Sequence, residues 1–193
     1  PLPPLDLRRP GPGSIFPGPS AAWRSPASLD ELKSLGVDRI HIYLHWIDIA
    51  PEPTSRHRPA FDAVDPAAYP AAGWAVYDTI IRDAKARGLG VDVALIPPPP
   101  RWAEGTGAPH PNIQPEWRPS APEFGQFVRA VGTRYSGSYR PPGSAKPLPK
   151  VDFWSIWNEP NLGTQLAPEV TPHTQIEQSP ALYRGLVDAA WKA

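Results

Sequence analysis

The 193-residue sequence has no cysteine and no methionine, and its 19 acidic and 19 basic side chains balance. Without cysteine the chain has no disulfide, no thiol nucleophile and no thiolate ligand for a metal. The zero net charge argues against nucleic acid or an anionic membrane surface as the main partner. Because the initiating methionine is missing, we expect the sequence to be a processed product or a fragment of a longer protein.

Long apolar runs and several functional motifs are also missing. No run approaches the roughly 20 residues of a membrane-spanning helix, so we expect no membrane partner. Neither a glycine-rich phosphate loop nor the serine-hydrolase motif G-x-S-x-G is present. The histidines lack metal-ligand spacing, so we predict polar rim residues and neither a metal nor a cofactor. They are His41, His45, His57, His110 and His173.

Proline is abundant instead, with 30 residues. Residues 1–12 are dense in proline and predict an extended, disordered tail. Residues 13–193 are long enough for one domain with a sizeable core, and they end in a helical pattern. The segment Ser14-Ile15-Phe16 is the only place where an initial strand could lie, and Pro17 would end that strand at once.

Helical and strand patterns alternate along the rest of the chain. Residues 37–46, 91–96 and 151–157 are rich in β-branched and aromatic side chains, which favours strands. Apolar stripes of helical period lie between and after them. Ser28 to Glu31 and Ser120 to Glu123 are capping boxes that predict two helix starts. This alternation predicts βα units with a parallel sheet and right-handed crossovers.

The connections that follow the strands are long, whereas those that precede them are mostly short and contain glycine. The long ones, 47–73, 97–119 and 160–178, are rich in Pro, His, Trp and Asn. This asymmetry is typical of an α/β fold of the (β/α)8 TIM-barrel type, in which one face binds ligand and the other holds the fold. A doubly wound sheet is the alternative, but it normally has a glycine-rich phosphate turn. We therefore predict about the first four βα units of a barrel, whose complete form needs about 250 residues.

The segment 151–161 places a carboxylic acid at a strand end. Its apolar run predicts a buried strand, and Pro160 ends that strand. Glu159 would then lie among indoles at the carboxyl rim, where barrels have their chemistry. Burial disfavours the charged form of a carboxyl group, and an acid that is still protonated near neutral pH can donate to a leaving oxygen. The structural alternative is an acid that caps the next turn, with Trp154 and Trp157 in the core.

The segment Trp157-Asn158-Glu159-Pro160-Asn161 after a strand resembles the fourth-strand signature of the retaining glycoside hydrolases built on the (β/α)8 barrel. The sequence of this motif is closest to that of the family 39-like and family 5-like members, the cellulase and xylosidase group. The order of helices and strands also matches over most of the chain. The resemblance implies that Glu159 is the acid/base and that Asn158 contacts the sugar 2-hydroxyl. A turn residue bonded to its own backbone is the alternative for Asn158. The resemblance also implies a β-linked oligo- or polysaccharide as the carbohydrate substrate, and it favours a secreted protein, although composition does not fix the compartment.

Retaining hydrolysis needs a second carboxylate about 5–5.5 Å from the acid/base. In the clan that this sequence resembles, the nucleophile follows strand seven, so we expect it beyond Ala193 and expect the fragment alone to be inactive. Asp48, Glu52 and Glu104 lie in loops on the same predicted rim and are less favoured candidates for this role.

Indoles that follow strand ends can stack on sugar rings. Trp46, Trp102 and Trp157 have such positions, and ordinary packing at the rim is the alternative for each. The segment from Arg101 to Gly105 resembles the third-strand loop of bacterial members of the clan, which implies a wall of the substrate cleft.

One position departs from the resemblance. Related barrels tend to have an arginine on strand two that holds the nucleophile, but His41 occupies that place here. Arg39 lies two residues earlier and therefore on the same side of the strand. Either the role moves to Arg39, or it is lost; we expect both residues to be among those that bind the substrate.

Two other functions stay open. A non-catalytic carbohydrate-binding or scaffold protein on the same half-barrel is favoured by the departure at His41. An oligomer in which two half-barrels pair is the other possibility, because open sheet edges promote self-association.

Overall fold

Helices and strands alternate along the chain, as the sequence pattern predicts. The computed structural model describes residues 26–108, 116–171 and 174–193. The helices are α1 Pro26–Ser34, α2 Trp46–Ile49, α3 Ala71–Ala86, α4 Ala121–Arg134 and α5 Ser179–Lys192. The strands are β1 Arg39–His45, β2 Gly90–Ile96 and β3 Phe153–Ile156. Short 3-10 helices lie at Pro66–Ala68 and Arg101–Ala103. The predicted tail 1–12 and the candidate strand at Ser14 lie outside the described residues.

The strands form a parallel three-stranded sheet in the order β1-β2-β3. Leu44 pairs with Leu95, which pairs with Ile156, so the three strands reach the same level. Because they are parallel, their carboxyl ends meet at one rim, formed by the residues after His45, Ile96 and Ile156. The parallel arrangement of βα units is confirmed.

Helices α3 and α4 belong to the layer that covers one face of the sheet. Side chains alternate along a strand, and Val91, Val93 and Leu95 of β2 are fully buried on this face. These three side chains form one apolar core with the apolar stripes of α3 and α4. The aromatic members of those stripes are Trp74, Tyr77, Phe124 and Phe127.

The opposite face of the sheet is more polar. The guanidinium of Arg39 lies 3.7 Å from the ring centre of Phe153. His41 Nδ1 lies 3.0 Å from a carboxylate oxygen of Asp92, and Ser155 Oγ donates to the same carboxylate over 3.2 Å. These contacts tie the three strands together on the face that would be the interior of a barrel.

The prediction that residues 151–157 form a buried strand is wrong for its middle. Val151 and Trp157 are buried, but Phe153 and Trp154 expose 46% and 37% of their surface. The reason is that β3 is an edge strand, and among the described residues only β2 pairs with it.

Of the two predicted capping boxes, one is confirmed for its serine half only, because the Ser120 backbone N–H donates to Ala103 O and the Glu123 carboxylate accepts from Arg58. Ser120 precedes α4, and its hydroxyl accepts from the Glu123 backbone N–H over 3.4 Å. Ser28 lies inside α1, which already includes Pro26. Proline fits the first turn of a helix because its missing N–H would have no partner there. None of the described helices has an apolar stretch long enough to cross a bilayer.

Candidate active site

The three connections at the carboxyl rim are bonded to one another. Ile47 N–H donates to Pro98 O over 3.1 Å, and Arg101 N–H donates to Pro53 O over 2.8 Å. On the other side, Arg118 N–H donates to the carbonyl of Ala167 over 2.6 Å. Backbone hydrogen bonds therefore connect the loops after β1, β2 and β3 into a continuous surface around the strand ends.

Glu159 lies on this surface, three residues after the end of β3, and it is exposed. The amide nitrogen of Asn158 lies 3.5 Å from Glu159 Oε2 and 3.5 Å from the side-chain oxygen of Gln165. The expectation of a carboxyl group shielded by indoles is therefore wrong for this chain. The structure does bring Asn158 and Glu159 together, at the predicted end of the sheet.

The backbone around Glu159 is strained. Trp157 has φ 66° and Glu159 has φ 41°, both in the left-handed region, where a non-glycine residue costs roughly 1–2 kcal/mol. Trp157 is held there by its backbone N–H, which donates to Leu95 O over 2.8 Å, and by its indole N–H, which donates to Gln165 O over 2.9 Å. Strain of this kind clusters at functional sites.

Two of the three predicted stacking indoles are buried. Trp157 exposes 4% of its surface and packs edge-on against Phe124, with ring centres 5.5 Å apart. Trp46 exposes none and stacks on Phe127 at 5.4 Å. The prediction that Trp46 and Trp157 offer ring faces to a sugar is therefore wrong: α2 starts at Trp46 and the left-handed turn starts at Trp157, and both rings lie in the core.

Trp102 is only partly buried. Its indole N–H donates to Pro51 O over 3.0 Å, and its ring meets Phe61 edge-on at 5.8 Å. The guanidinium of Arg58 lies 5.7 Å from the same ring. Trp102 is thus held in the loop after β2 with part of its surface exposed, and its role as a cleft wall stays a prediction.

Arg39 and His41 lie far below the rim. By strand register, His41 is three residues and Arg39 five residues below the level of Ile156, which is about 10 Å and about 17 Å at the rise of a β-strand. Their side chains are engaged with Phe153 and Asp92. The structure therefore does not bring the two predicted substrate-binding residues to Asn158 and Glu159.

His45, which the sequence predicted only as a polar rim residue, is buried at the end of β1. Its Nδ1 lies 2.9 Å from the carbonyl of Pro97. A carbonyl only accepts, so Nδ1 holds the proton and Nε2 is an acceptor when the ring is neutral. Its position at the carboxyl end of a predicted strand was the signal that could have marked this residue.

Glu116 was missed as well. It exposes 4% of its surface, and its Oε2 has no hydrogen-bond partner in the described part of the chain. Burial raises the pKa of Glu116 to about 7 against a backbone hydrogen bond of Glu116 that lowers it, and the negative charge of Glu104 adds to the increase. Burial also raises the pKa of Glu104, against the opposing charges of Arg101 and Arg56. No sequence signal marks Glu116 within its proline-rich connection.

The described residues include no group of three histidine, aspartate or glutamate side chains close enough to hold a metal ion. Of the other rim carboxylates, Asp48 accepts from the Tyr77 hydroxyl over 3.4 Å, and Glu104 lies 4.0 Å from Arg101 Nε. Asp48 therefore has a partner on α3, and Glu104 has one in its own loop.

Comparison with known proteins supports the fold. No family model matches the sequence, and no curated protein does. Among solved structures, Fpglu1 from Fervidobacterium pennivoraus matches 87% of this chain with a TM-score of 0.53 and 21% identity. The β-glucosidase from Trichoderma harzianum matches 89% with a TM-score of 0.54 and 18% identity. The chain resembles a β-glucosidase in fold.

A double mutant of the Trichoderma enzyme gives a similar result, with 87% of this chain covered, a TM-score of 0.52 and 19% identity. The chain spans about a third of the length of these structures, 36% of the first and 32% of the other two. At this identity the likeness concerns the fold alone, a parallel sheet with outer helices that is consistent with part of a barrel.

Proposed function

We propose that this chain is the part of a retaining glycoside hydrolase that includes the acid/base residue, Glu159, and that the substrate is a β-linked glucoside or oligosaccharide. The observation that supports this most directly is the pair of Asn158 and Glu159 on a strained turn at the carboxyl end of β3. The fold likeness to a β-glucosidase supports the substrate class.

In the proposed reaction Glu159 first acts as an acid. Its carboxyl proton moves to the glycosidic oxygen while the bond from that oxygen to the anomeric carbon breaks, and a second carboxylate attacks the same carbon. Glu159, now ionised, takes a proton from a water molecule that attacks the glycosyl ester and releases the sugar. We assign the attacking carboxylate to no residue of this chain.

Asn158 has the sugar 2-hydroxyl as its proposed partner. Its amide is 3.5 Å from both Glu159 and Gln165, which are long contacts. A hydroxyl that approaches the same amide can replace these weak contacts with a shorter bond, and such a bond strengthens as the oxocarbenium-like state develops. The exposed position of Glu159 leaves room for a sugar ring to cover both side chains.

The experiment uses the natural protein that contains this sequence and compares Glu159→Gln with the unmodified enzyme on two aryl β-glucosides. Acid catalysis matters most for a poor leaving group, so we expect kcat/KM on the phenyl glucoside to fall by about 10²–10⁴. With 2,4-dinitrophenol as the leaving group we expect a much smaller loss in the first step, because that phenolate needs no proton.

Glu169→Gln is the matched control, because Glu169 is also an exposed glutamate in the loop after β3. It should leave both rates unchanged. Equal rates for Glu159→Gln and Glu169→Gln on the phenyl glucoside would refute the assignment of Glu159.

A second function, carbohydrate binding without hydrolysis, is favoured by one observation. Arg39 and His41, the candidates for holding a nucleophile, are engaged with Phe153 and Asp92 instead. Calorimetric titration with cellobiose, together with product analysis after long incubation, separates the two functions. Binding that Trp102→Ala weakens, without any product, would favour the second.

A further inference from the structure

Two of the rim loops are joined by backbone pairing around Ala167. Trp117 forms an isolated parallel bridge with Ala167. Ala167 N–H donates to Glu116 O over 3.0 Å, and Arg118 N–H donates to Ala167 O over 2.6 Å. We call residues 116–118 with Ala167 the loop joint. It fastens the segment 157–171, which includes Glu159, to the loop that follows β2.

A carboxyl group is buried inside the loop joint. Glu116 exposes 4% of its surface, and in the described ranges its Oε2 has no hydrogen-bond partner. A buried acceptor without a partner is costly, and a buried unpaired charge costs far more. The neutral acid is therefore the form that fits the closed joint.

The charges around Glu116 do not compensate for a carboxylate there. Glu104 is acidic, and Arg101 and Arg56 act on Glu104. The facing segment 157–171 contains Glu159 and Glu169 and no basic residue. Arg118, within the joint, has its guanidinium 5.7 Å from the ring of Trp117.

We propose that the loop joint is a proton-controlled device: with Glu116 protonated, segment 157–171 stays bonded to residues 116–118, and ionisation of Glu116 releases Ala167 and loosens the segment that includes Glu159. The device does not depend on hydrolysis, since it concerns only the attachment of one loop to another.

The direction of the pH dependence follows from the coupling between protonation of Glu116 and opening of the loop joint. The pKa of Glu116 is about 7 in the closed joint against an ordinary value of 4.5, so the closed joint binds its proton more tightly than the open one. Below pH 4.5 both forms are protonated and opening does not depend on pH. Between pH 4.5 and 7 opening becomes about tenfold more favourable per pH unit, and above pH 7 it levels off.

Amide hydrogen exchange of this chain tests the proposal. The opening constants of the Ala167 and Arg118 amides, corrected for intrinsic exchange, should rise about 40-fold from pH 5 to pH 7, because the dependence flattens near both pKa values. The Val93 amide in β2 serves as an internal control and should not follow this profile. In Glu116→Gln, which cannot ionise, both joint amides should show constant protection over the same range.

A wild-type profile that is flat, or one that Glu116→Gln reproduces, would overturn the proposal. Should Glu116→Gln fail to fold, titration of the Glu116 side-chain carboxyl carbon by NMR in the wild-type chain decides the matter. A midpoint near pH 7 supports the device, and a midpoint near pH 4.5 contradicts it.

Discussion

Removal of the Asp78 carboxylate should destabilise the helix layer that covers the sheet more than removal of another carboxylate from the same helix. Asp78 on α3 accepts from Arg134 Nε over 3.0 Å and from the second guanidinium nitrogen over 2.6 Å. The hydroxyl of Tyr135 donates to the same carboxylate over 2.9 Å. The guanidinium also lies 4.6 Å from the ring centre of Trp74. One carboxylate thus connects α3 to the end of α4.

The size of the effect follows from burial. The side chain of Arg134 is 5% exposed and that of Asp78 is 17% exposed. Loss of one partner from a buried pair leaves an uncompensated charge and costs about 3–5 kcal/mol. Because Asp78 keeps some solvent contact, we expect Asp78→Ala to cost about 3 kcal/mol, which shifts the unfolding equilibrium by roughly 100-fold or more.

Urea unfolding followed by tryptophan fluorescence measures this loss. Asp83→Ala is the matched control on the same helix, because the Asp83 side chain acts on Arg87 through its charge and has no hydrogen bond within the described residues. It should change stability by less than about 0.5 kcal/mol. The double variant Asp78→Leu with Arg134→Met should recover part of the loss, since no lone charge then remains. Equal effects of Asp78→Ala and Asp83→Ala would refute the argument.

Three further outcomes are expected in the same assay. Glu159→Gly should leave stability unchanged or raise it by up to about 1 kcal/mol, because φ 41° no longer costs strain and the lost side chain is exposed. Trp46→Ala should cost about 3–5 kcal/mol and Trp102→Ala clearly less, because only the first indole is fully buried. Gly73→Ala brings a Cβ within 2.7 Å of a backbone oxygen of α2 and should cost about 1–3 kcal/mol of stability. At Gly132 an added Cβ meets open space, so Gly132→Ala should stabilise α4 by up to about 1 kcal/mol.

Local signals were enough to predict most of the helices and strands. Strand β2 lies between Gly88 and Pro97, two residues that interrupt regular structure, and the helical stripes have the 3.6-residue period. The hydroxyl of Ser120 caps α4 as predicted. The start of α1 was predicted wrongly because Ser28 has the capping pattern, yet the helix already includes Pro26.

Side-chain direction at the strand ends could not be predicted. Alternation tells which face a residue occupies only while the chain stays extended. At Trp46 a helix begins at once, and at Trp157 the backbone turns to φ 66°. Both indoles follow strands in the sequence, as the prediction required, but both are placed in the core by a change in backbone direction that no residue pattern announces.

Contacts between distant segments were also beyond sequence reasoning. The pairing of His41 with Asp92, and of Arg39 with Phe153, depends on the register of three strands that are separated by connections of different length. The hydrogen bond from Ala167 N–H to the Glu116 carbonyl likewise joins two loops that are distant in the sequence.

The burial of Trp157 changes what that residue does for the proposed chemistry. Its indole N–H is bonded to Gln165 O, and its ring packs against Phe124 of α4. These contacts fix the left-handed backbone from which the next two side chains, Asn158 and Glu159, project. An indole that is anchored in this way positions an exposed acid more rigidly than one that is free to stack on a sugar. The aromatic residue beside the carboxyl group therefore holds the turn, and in the proposed reaction the contacts with the sugar are assigned to the amide and the acid.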